Sequence, residues 1–246
     1  MALKEREQAI LEYLKDKREA SVGELCKALF VSEPTMRRDL ATLNKAGKII
    51  RTHGGATFRR DISTNIPLSF REKEHSDAKI VIARKCLALI KDGDTIMTDS
   101  SSSALALLKI LPARANIVII TNSAKAAVTL ADRNLKVFVT GGELTADSFA
   151  YTGGYAMDFL RSFNADWCFF SVRTLSLSGL LTDNAIAEND IRRVMLARST
   201  KKVLMLDSGK VGEPCLNTLC SINEIDFVVS EQNISPLFPT YSEKFL

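Results

Sequence analysis

Between residues 95 and 229 the chain carries six short apolar runs: Thr95–Thr98, Ile117–Ile120, Val137–Val139, Trp167–Phe170, Val203–Leu206 and Phe227–Val229. Helical stretches alternate with them, and that alternation is the strongest constraint on the fold. Strands separated by helices build a mostly parallel sheet with helices on both faces, so the expected class is α/β and Rossmann-like. A helical pattern from about Arg71 to Ile90 precedes the first strand, with Ile80, Ile82, Ala83 and Leu87 turned inward and Lys91-Asp92-Gly93 ending it.

In open sheets of this kind, ligands bind beyond the carboxyl ends of the strands. After the first run comes Asp99, then Ser100, Ser101, Ser102 and Ser103, leading directly into a helix. Thr121, Asn122 and Ser123 follow the second run, again entering a helix; Thr140, Gly141 and Gly142 follow the third; Asp207, Ser208, Gly209 and Lys210 follow the fifth. Hydroxyls at a helix N-terminus, with free backbone N–H groups behind them, favour an anion. An ammonium opposite completes a phosphate pocket, while carboxylates and amides suit sugar hydroxyls. One such end alone reads as ordinary helix capping. Four on one rim read as a ligand site.

The first 57 residues have a different grammar. Ile10, Leu11 and Leu14 give a first helix its apolar side, and a break follows at Arg18-Glu19-Ala20. Ser21-Val22-Gly23-Glu24 has the form of a capping box and opens a second helix, which offers Leu25, Cys26, Leu29 and Phe30 to a small core. Val31 is the turn. Ser32 is placed to cap a third helix, with Pro34 in its first turn. There Met36, Leu40 and Leu43 form one buried stripe, leaving Thr35, Arg37, Arg38 and Thr42 outside. A short helix of that composition suits the major groove of double-stranded DNA, where a guanidinium can pair with guanine. Alternation at Ile49 and Ile50 and a turn at Gly54-Gly55 read as a wing hairpin with Arg51 and His53 near its tip. His53 is either a core histidine or a contact to the DNA backbone.

Charge supports the division. The first 60 residues hold 13 Lys and Arg against 8 Asp and Glu, and the remainder is close to neutral. A basic head on a neutral body is the electrostatic footprint of a nucleic-acid binder. Five cysteines without a Cys-x-x-Cys pair, and two histidines, argue for reduced thiols and against a zinc site. Neither a secretory signal nor a membrane span is legible, so the expected compartment is the cytoplasm, with no cofactor and no metal.

The stretch SEPTMRRDLATLNKAGKIIRTHGGA, residues 32–56, resembles the signature of the DeoR family, in which a Ser-x-x-Thr-x-Arg-Arg-Asp-Leu helix leads into an Arg-x-His-Gly-Gly-Ala wing. The body is similar to that family's sensor domain, which runs through Asp-x-Gly-Thr-Thr, Thr-Asn-Ser, Gly-Gly and Asp-Ser-Ser-Lys. The resemblance implies a winged helix-turn-helix followed by a sensor related in fold to ribose-5-phosphate isomerase and CoA-transferase proteins. It also implies DNA contacts from Thr35, Arg37, Arg38, Arg51 and His53; Ser32 and Thr42 are expected to join them, and Asp39, closer to the buried side, is taken as structural, a candidate to orient an arginine. The implied effector residues are Asp99, Ser101–Ser103, Thr121, Asn122, Ser123, Gly141, Gly142, Asp207 and Lys210.

Departures from the pattern are Ser101-Ser102-Ser103 for Gly-Thr-Thr, Arg173 where the family keeps small residues, Arg192 in a helix that commonly holds a lysine, and Gly209 for a serine. Arg173 and Arg192 either tune the pocket or, for Arg173, point to solvent. The expected organisation is 1–57 for the DNA-binding domain, 58–75 for a linker, 76–232 for the sensor and 233–246 for a tail that covers a sheet edge or an oligomer contact. The expected function is repression of a carbohydrate operon by a homodimer or tetramer, released by a phosphorylated sugar. Two alternatives stand beside it: a sugar-phosphate isomerase using Asp99, Asp207 or Glu188, and a DNA-binding protein whose sensor has lost its ligand.

Overall fold

In the computed structural model, which describes residues 3–17, 19–46, 48–52, 54–58, 66–112 and 116–246, the chain divides into two units, Met1–Phe70 and Arg71–Leu246. The first unit opens with helix α1 (Leu3–Lys17), strand β1 (Glu19–Ser21) and helix α2 (Val22–Leu29). The capping box forms as its sequence demands: the Glu24 amide donates to the Ser21 hydroxyl at 3.2 Å, and the Ser21 amide to the Glu24 carboxylate at 2.7 Å. Helix α3 (Glu33–Lys45) follows, then the hairpin of β2 (Ile49–Arg51) and β3 (Gly55–Phe58). Ile10, Leu14, Leu25, Met36, Leu40 and Ile49 are all fully buried in one small core.

Two details differ from expectation. Residues 19–21, where the sequence shows only a break, pair antiparallel with β3 and make the wing sheet three-stranded, in the order β1-β3-β2. That pairing requires glycine at 55, because a Cβ there would fall 2.1 Å from the Ala20 carbonyl oxygen. Phe30, offered above to the core, is instead 95% exposed. It ends α2 in the left-handed conformation (φ 54°, ψ 43°), which turns its side chain away from the stripe that Leu25 and Leu29 continue.

The second unit contains all six expected strands: β4 (Thr95–Thr98), β5 (Val118–Thr121), β6 (Lys136–Val139), β9 (Ala165–Phe170), β12 (Ser199–Met205) and β14 (Phe227–Val229). Every pairing among them is parallel, in the order β14-β12-β9-β4-β5-β6. Successive residues serve opposite faces, as the two-residue period of a strand requires. Met97, Ile120, Cys168, Leu204 and Val228 pack on one side. Ile96, Ile119, Phe169, Val203 and Val229 pack on the other. Helices α6 (Ser102–Ile110), α7 (Ala124–Leu130), α8 (Gly154–Arg161) and α9 (Ile186–Ala197) connect or cover these strands.

The short antiparallel pieces escaped the sequence reading. They are the hairpin β7 (Glu143–Thr145) and β8 (Ala150–Thr152), and a three-stranded sheet of β10 (Thr174–Leu175), β11 (Leu180–Asp183) and β13 (Asn217–Ser221).

The helical stretch before the sheet is two helices, α4 (Leu68–Lys73) and α5 (Ser76–Leu87), broken at His75, whose φ is 51°. Ile80 is 42% exposed and was misplaced; the buried stripe is Lys79, Ile82, Ala83 and Cys86. These stand at i, i+3, i+4 and i+7, so a lysine occupies the position that phase reserves for an apolar residue. Helix α4 begins inside the span expected to be linker. The C-terminal residues run along the outer strand of the sheet: Phe245 bridges Val228, Leu246 donates to the Val228 carbonyl at 3.0 Å, and Phe238 stacks on Phe245.

Ile120 is fully buried in the middle of the sheet. Ile120→Ala should therefore destabilise the fold by about 2–5 kcal/mol, the usual cost of emptying such a site. Urea denaturation followed by circular dichroism measures this, and a loss under about 1 kcal/mol would contradict the packing described.

Candidate functional site

In the first unit, burial of Met36, Leu40 and Leu43 leaves the opposite side of α3 to solvent. Arg37, Arg38 and Thr42 are exposed on it, and Thr35 is half-buried. Ser32 stands at the N-cap but does not cap the backbone; its hydroxyl lies 3.0 Å from that of Thr35. The Arg37 guanidinium reaches Glu33 at 3.2 Å in an exposed pair, and Thr42 donates to the Arg38 carbonyl at 3.1 Å. Asp39 is buried and accepts from Arg6 of α1, so it fixes α3 against α1 rather than orienting an arginine of its own helix. Arg51 is exposed on β2, its amide donating to Asn44 at 3.0 Å. His53, expected beside it, lies outside the described residues.

In the second unit, strand order sets the site. The chain runs from β4 outward to β5 and β6, then returns to place β9, β12 and β14 on the other side. The crevice between β4 and β9 is thus the topological switch point, where open α/β sheets bind ligands. Asp99 follows β4 there and Ser171 follows β9. The Ser171 amide donates to Asp99 at 3.3 Å, and the Ser171 hydroxyl donates to the Met205 carbonyl at 2.7 Å. Lys210 donates its ammonium to the Ser171 hydroxyl at 2.9 Å and lies 3.7 Å from Asp207. The serine cluster and Lys210 therefore reach one rim, as the strand ends imply.

Several hydroxyls of that rim are engaged in the fold. Ser101 accepts from the Ala104 amide and caps α6; Ser123 accepts from the Ala126 amide and caps α7. Thr121 donates to the Thr98 carbonyl at 2.9 Å. The Asn122 amide nitrogen donates to the Tyr151 carbonyl, but its oxygen and the Ser103 hydroxyl are buried with no partner among the described residues. Gly141 and Gly142 have φ of 63° and 107°, and a Cβ at Gly142 would fall 2.6 Å from the Thr152 carbonyl oxygen. They shape the turn after β6 by having no side chain.

Arg192 is the best-connected group of the site. Its Nε donates to Asp99 at 2.9 Å, Nη1 to Asp183 at 3.1 Å and to Asn189 at 2.8 Å, and Nη2 to Glu188 at 3.3 Å. Burial by itself would lower the guanidinium pKa, yet Asp183, Asp99 and Glu188 together raise it. Burial likewise pushes the Asp183 carboxyl up, and Arg192, two backbone amides and Arg173 overcome that and hold it below the usual range. Glu188 also accepts from Ser100 at 3.4 Å. Arg192 thus spends its donors on the wall of the site, whereas Arg173 is half-exposed.

Sequence reasoning missed Asp183 and Ser171 as parts of this network, along with Arg71 and Lys79. Burial lowers the Arg71 guanidinium pKa, while Glu188, Asp183 and Asp99 act on it in the opposite sense. Lys79 is 4% exposed, and its signal was present: it falls in phase with Ile82, Ala83 and Cys86. Burial and then the neighbouring Lys210 lower its pKa to about 8.

A basic, groove-sized helix in one unit and a polar switch-point crevice in the other define a two-domain DNA-binding regulator. Residues 6–63 match the DeoR-like helix-turn-helix domain and residues 74–232 the DeoR C terminal sensor domain. The chain is 32% identical to the HTH-type transcriptional regulator GolR of Listeria innocua, over 94% of this chain and 91% of that one. It is 30% identical to the L-fucose operon activator of Escherichia coli, over 92% and 94%. The glycerol-3-phosphate regulon repressor of the same organism is 28% identical over 92% and 90%. Among solved structures, ribose 5-phosphate isomerase A of Methanocaldococcus jannaschii aligns with a TM-score of 0.44 and 15% identity over 56% of each chain. The protein belongs to the DeoR family of transcriptional regulators.

Removing the Arg192 charge leaves Asp99, Asp183 and Glu188 buried without their shared partner, so Arg192→Met should cost about 3–5 kcal/mol at neutral pH. The freed carboxyls then have raised folded-state pKa values, so the deficit grows as pH rises through them and shrinks as pH falls. Urea unfolding of both proteins at pH 5 and pH 8 tests this; an equal deficit at the two pH values would contradict it.

Proposed function

We propose that the protein represses a carbohydrate catabolic operon and is released from its operator by a phosphorylated sugar bound at the β4–β9 crevice. The observation that carries this reading is that the α6 N-terminus and the Lys210 ammonium are linked at one rim through Asp99 and Ser171, while Ser103 and Asn122 of the neighbouring strand ends each hold a buried oxygen with no partner among the described residues. A phosphate there gains charge-assisted hydrogen bonds from Lys210 and from backbone N–H groups. Gly141, Gly142 and Asp207 follow strands that end at the same rim, and the half-exposed Arg173, whose charge acts on Asp183, is a further candidate to meet an anionic group.

The isomerase alternative needs a carboxylate that is free to take a proton. Asp99 and Glu188 are bound by Arg192, and Asp207 lies beside Lys210. That engagement favours a sensor over an enzyme. In the first unit we assign base readout to Arg38 and Thr35, and phosphate contacts to Arg37, Thr42, Ser32 and Arg51, with His53, outside the described residues, as a further DNA contact. One such helix reads few base pairs, so the working form is a homodimer or larger on spaced half-sites. Among the described residues no helix is long and apolar enough to cross a membrane. A regulator that acts on DNA is assigned to the cytoplasm by that action.

A thermal-shift panel of glycerol 3-phosphate, ribose 5-phosphate, glucose 6-phosphate and fructose 1-phosphate, with inorganic phosphate alongside, should find a ligand that raises the melting temperature. Lys210→Ala should weaken that ligand by roughly 1.5–3 kcal/mol, about tenfold to a hundredfold by calorimetry, and leave ligand-free operator binding unchanged. Unchanged ligand affinity would place the phosphate elsewhere. Arg38→Ala should cost on the order of 1–3 kcal/mol, concentrated at one operator position. An equal loss on every sequence would make it a phosphate contact, and no loss would remove α3 from the groove.

A further inference from the structure

Beyond β9, at the switch point, the chain runs through Ser171, Val172 and Arg173 into β10. Strand β10 pairs antiparallel with β11, with Thr174 opposite Thr182, so the next positions along the ladder, Arg173 and Asp183, stand across from each other. Residues opposed in this way project from the same side of a sheet. Asp183 turns inward to Arg192, and the charge of Arg173 helps to hold the Asp183 carboxyl below its usual range. Arg173 therefore lies on the crevice side of the antiparallel sheet, two residues from the Ser171 hydroxyl that receives Lys210.

Asp183 attracts this arginine without bonding it. Its Oδ2 accepts from Arg192 at 3.1 Å, and its Oδ1 accepts from the amides of Asn184 and Ala185 at 2.7 and 3.2 Å. The other carboxylates of the site are engaged as well, Asp99 and Glu188 by Arg192, and Asp207 beside Lys210. Arg173 is left half-exposed, with no hydrogen bond or ion pair among the described residues. A guanidinium carries five N–H donors in a planar fork that matches a carboxylate or a phosphate. Held at the crevice without a partner, this one faces an anion that the described chain does not supply.

We propose that Arg173 receives a second anionic group of the effector, so that the ligand is a phosphosugar charged at both ends: a sugar bisphosphate or a phosphorylated sugar acid. This deepens, and rests on, the phosphosugar-sensing reading above. One phosphate sits at the Lys210 end, and the second phosphate or the carboxylate meets the Arg173 fork. The two positions lie within reach of one small molecule, because the backbones of Ser171 and Arg173, two residues apart, are separated by at most about 7 Å. Charge-assisted hydrogen bonds are the strong ones, and a monophosphate with a neutral far end forfeits those of Arg173. Arg173 is thus a specificity residue: it selects among phosphosugars and does not hold the group common to all of them.

Calorimetry on the full chain with matched pairs tests this: glycerol 3-phosphate against 3-phosphoglycerate, glucose 6-phosphate against 6-phosphogluconate, and fructose 6-phosphate against fructose 1,6-bisphosphate. Each pair shares one phosphate and differs in a second anionic group, a carboxylate in the first two pairs and a phosphate in the third. In at least one pair, wild type should bind the doubly anionic member about tenfold or more tightly, and which pair does so identifies the second group. In Arg173→Gln that preference should fall to about twofold or less, with affinity for the monophosphate within about twofold of wild type. Arg173→Lys, which restores the charge, should again favour the doubly anionic member. Arg173→Ala replaces Arg173→Gln if the latter does not fold. A preference that survives loss of the charge overturns the proposal. Equal weakening of both members also overturns it, by placing Arg173 on the shared phosphate. If wild type binds monophosphates and shows no preference in any pair, the sensing reading stands and this inference falls. If wild type binds none of these compounds nor any of the thermal-shift panel, both fall.

Discussion

The second unit depends on the Arg192 ion cluster. One guanidinium on α9 joins Asp99 after β4, Asp183 at the end of β11 and Glu188 one turn earlier on its own helix. The central sheet, the antiparallel sheet and α9 are thereby tied at a single buried point. Apolar residues could fill that volume and hold the layers as firmly, because desolvating charges offsets most of what their attraction returns. Apolar packing cannot fix several carboxylate directions at once. With Asp99 immobilised, the Ser101 and Ser171 amides that donate to it are immobilised too, and Ser171 in turn receives Lys210. The geometry of the proposed phosphate end is inherited from the cluster behind it.

The first unit rests on a different device. Its core is small, and the buried contact between Arg6 and Asp39 adds a directional link between α1 and α3. Since Asp39 points inward at this contact, Arg37 and Arg38 are carried outward by the phase of the helix. A carboxylate facing the groove would oppose a phosphate backbone; this one is neutralised within the unit.

Much of this was legible because period is a strong signal. Met36, Leu40 and Leu43 fix the phase of α3, and with it which arginines face solvent. Six apolar runs alternating with helices leave little choice but a parallel sheet, and all six form its strands. The sequence was silent where structure arises from pairing at a distance. Glu19–Ser21 becomes a strand only because Gly55 allows β3 to approach, and β10, β11 and β13 are too short for alternation to mark. Ile80 was placed inward because it is apolar, although the phase set by Ile82, Ala83 and Cys86 gives the inner position to Lys79. Phe30 was placed inward for the same reason, and a left-handed helix end turned it out. In the site, residue type brought several strand ends to one rim but did not give the division of labour: Ser101 and Ser123 are helix caps, and Arg192 is saturated by carboxylates.

In the function proposed here, one chain joins DNA recognition and anion sensing through linked equilibria. Linkage requires reciprocity: the factor by which a sugar phosphate weakens operator binding must equal the factor by which the operator weakens sugar-phosphate binding. Calorimetric titration of the best sugar phosphate into the free protein and into its operator complex, beside operator titrations with and without that ligand, gives both factors. Two equal factors of about tenfold or more are expected. A ligand that binds equally well to free and operator-bound protein would contradict the claim.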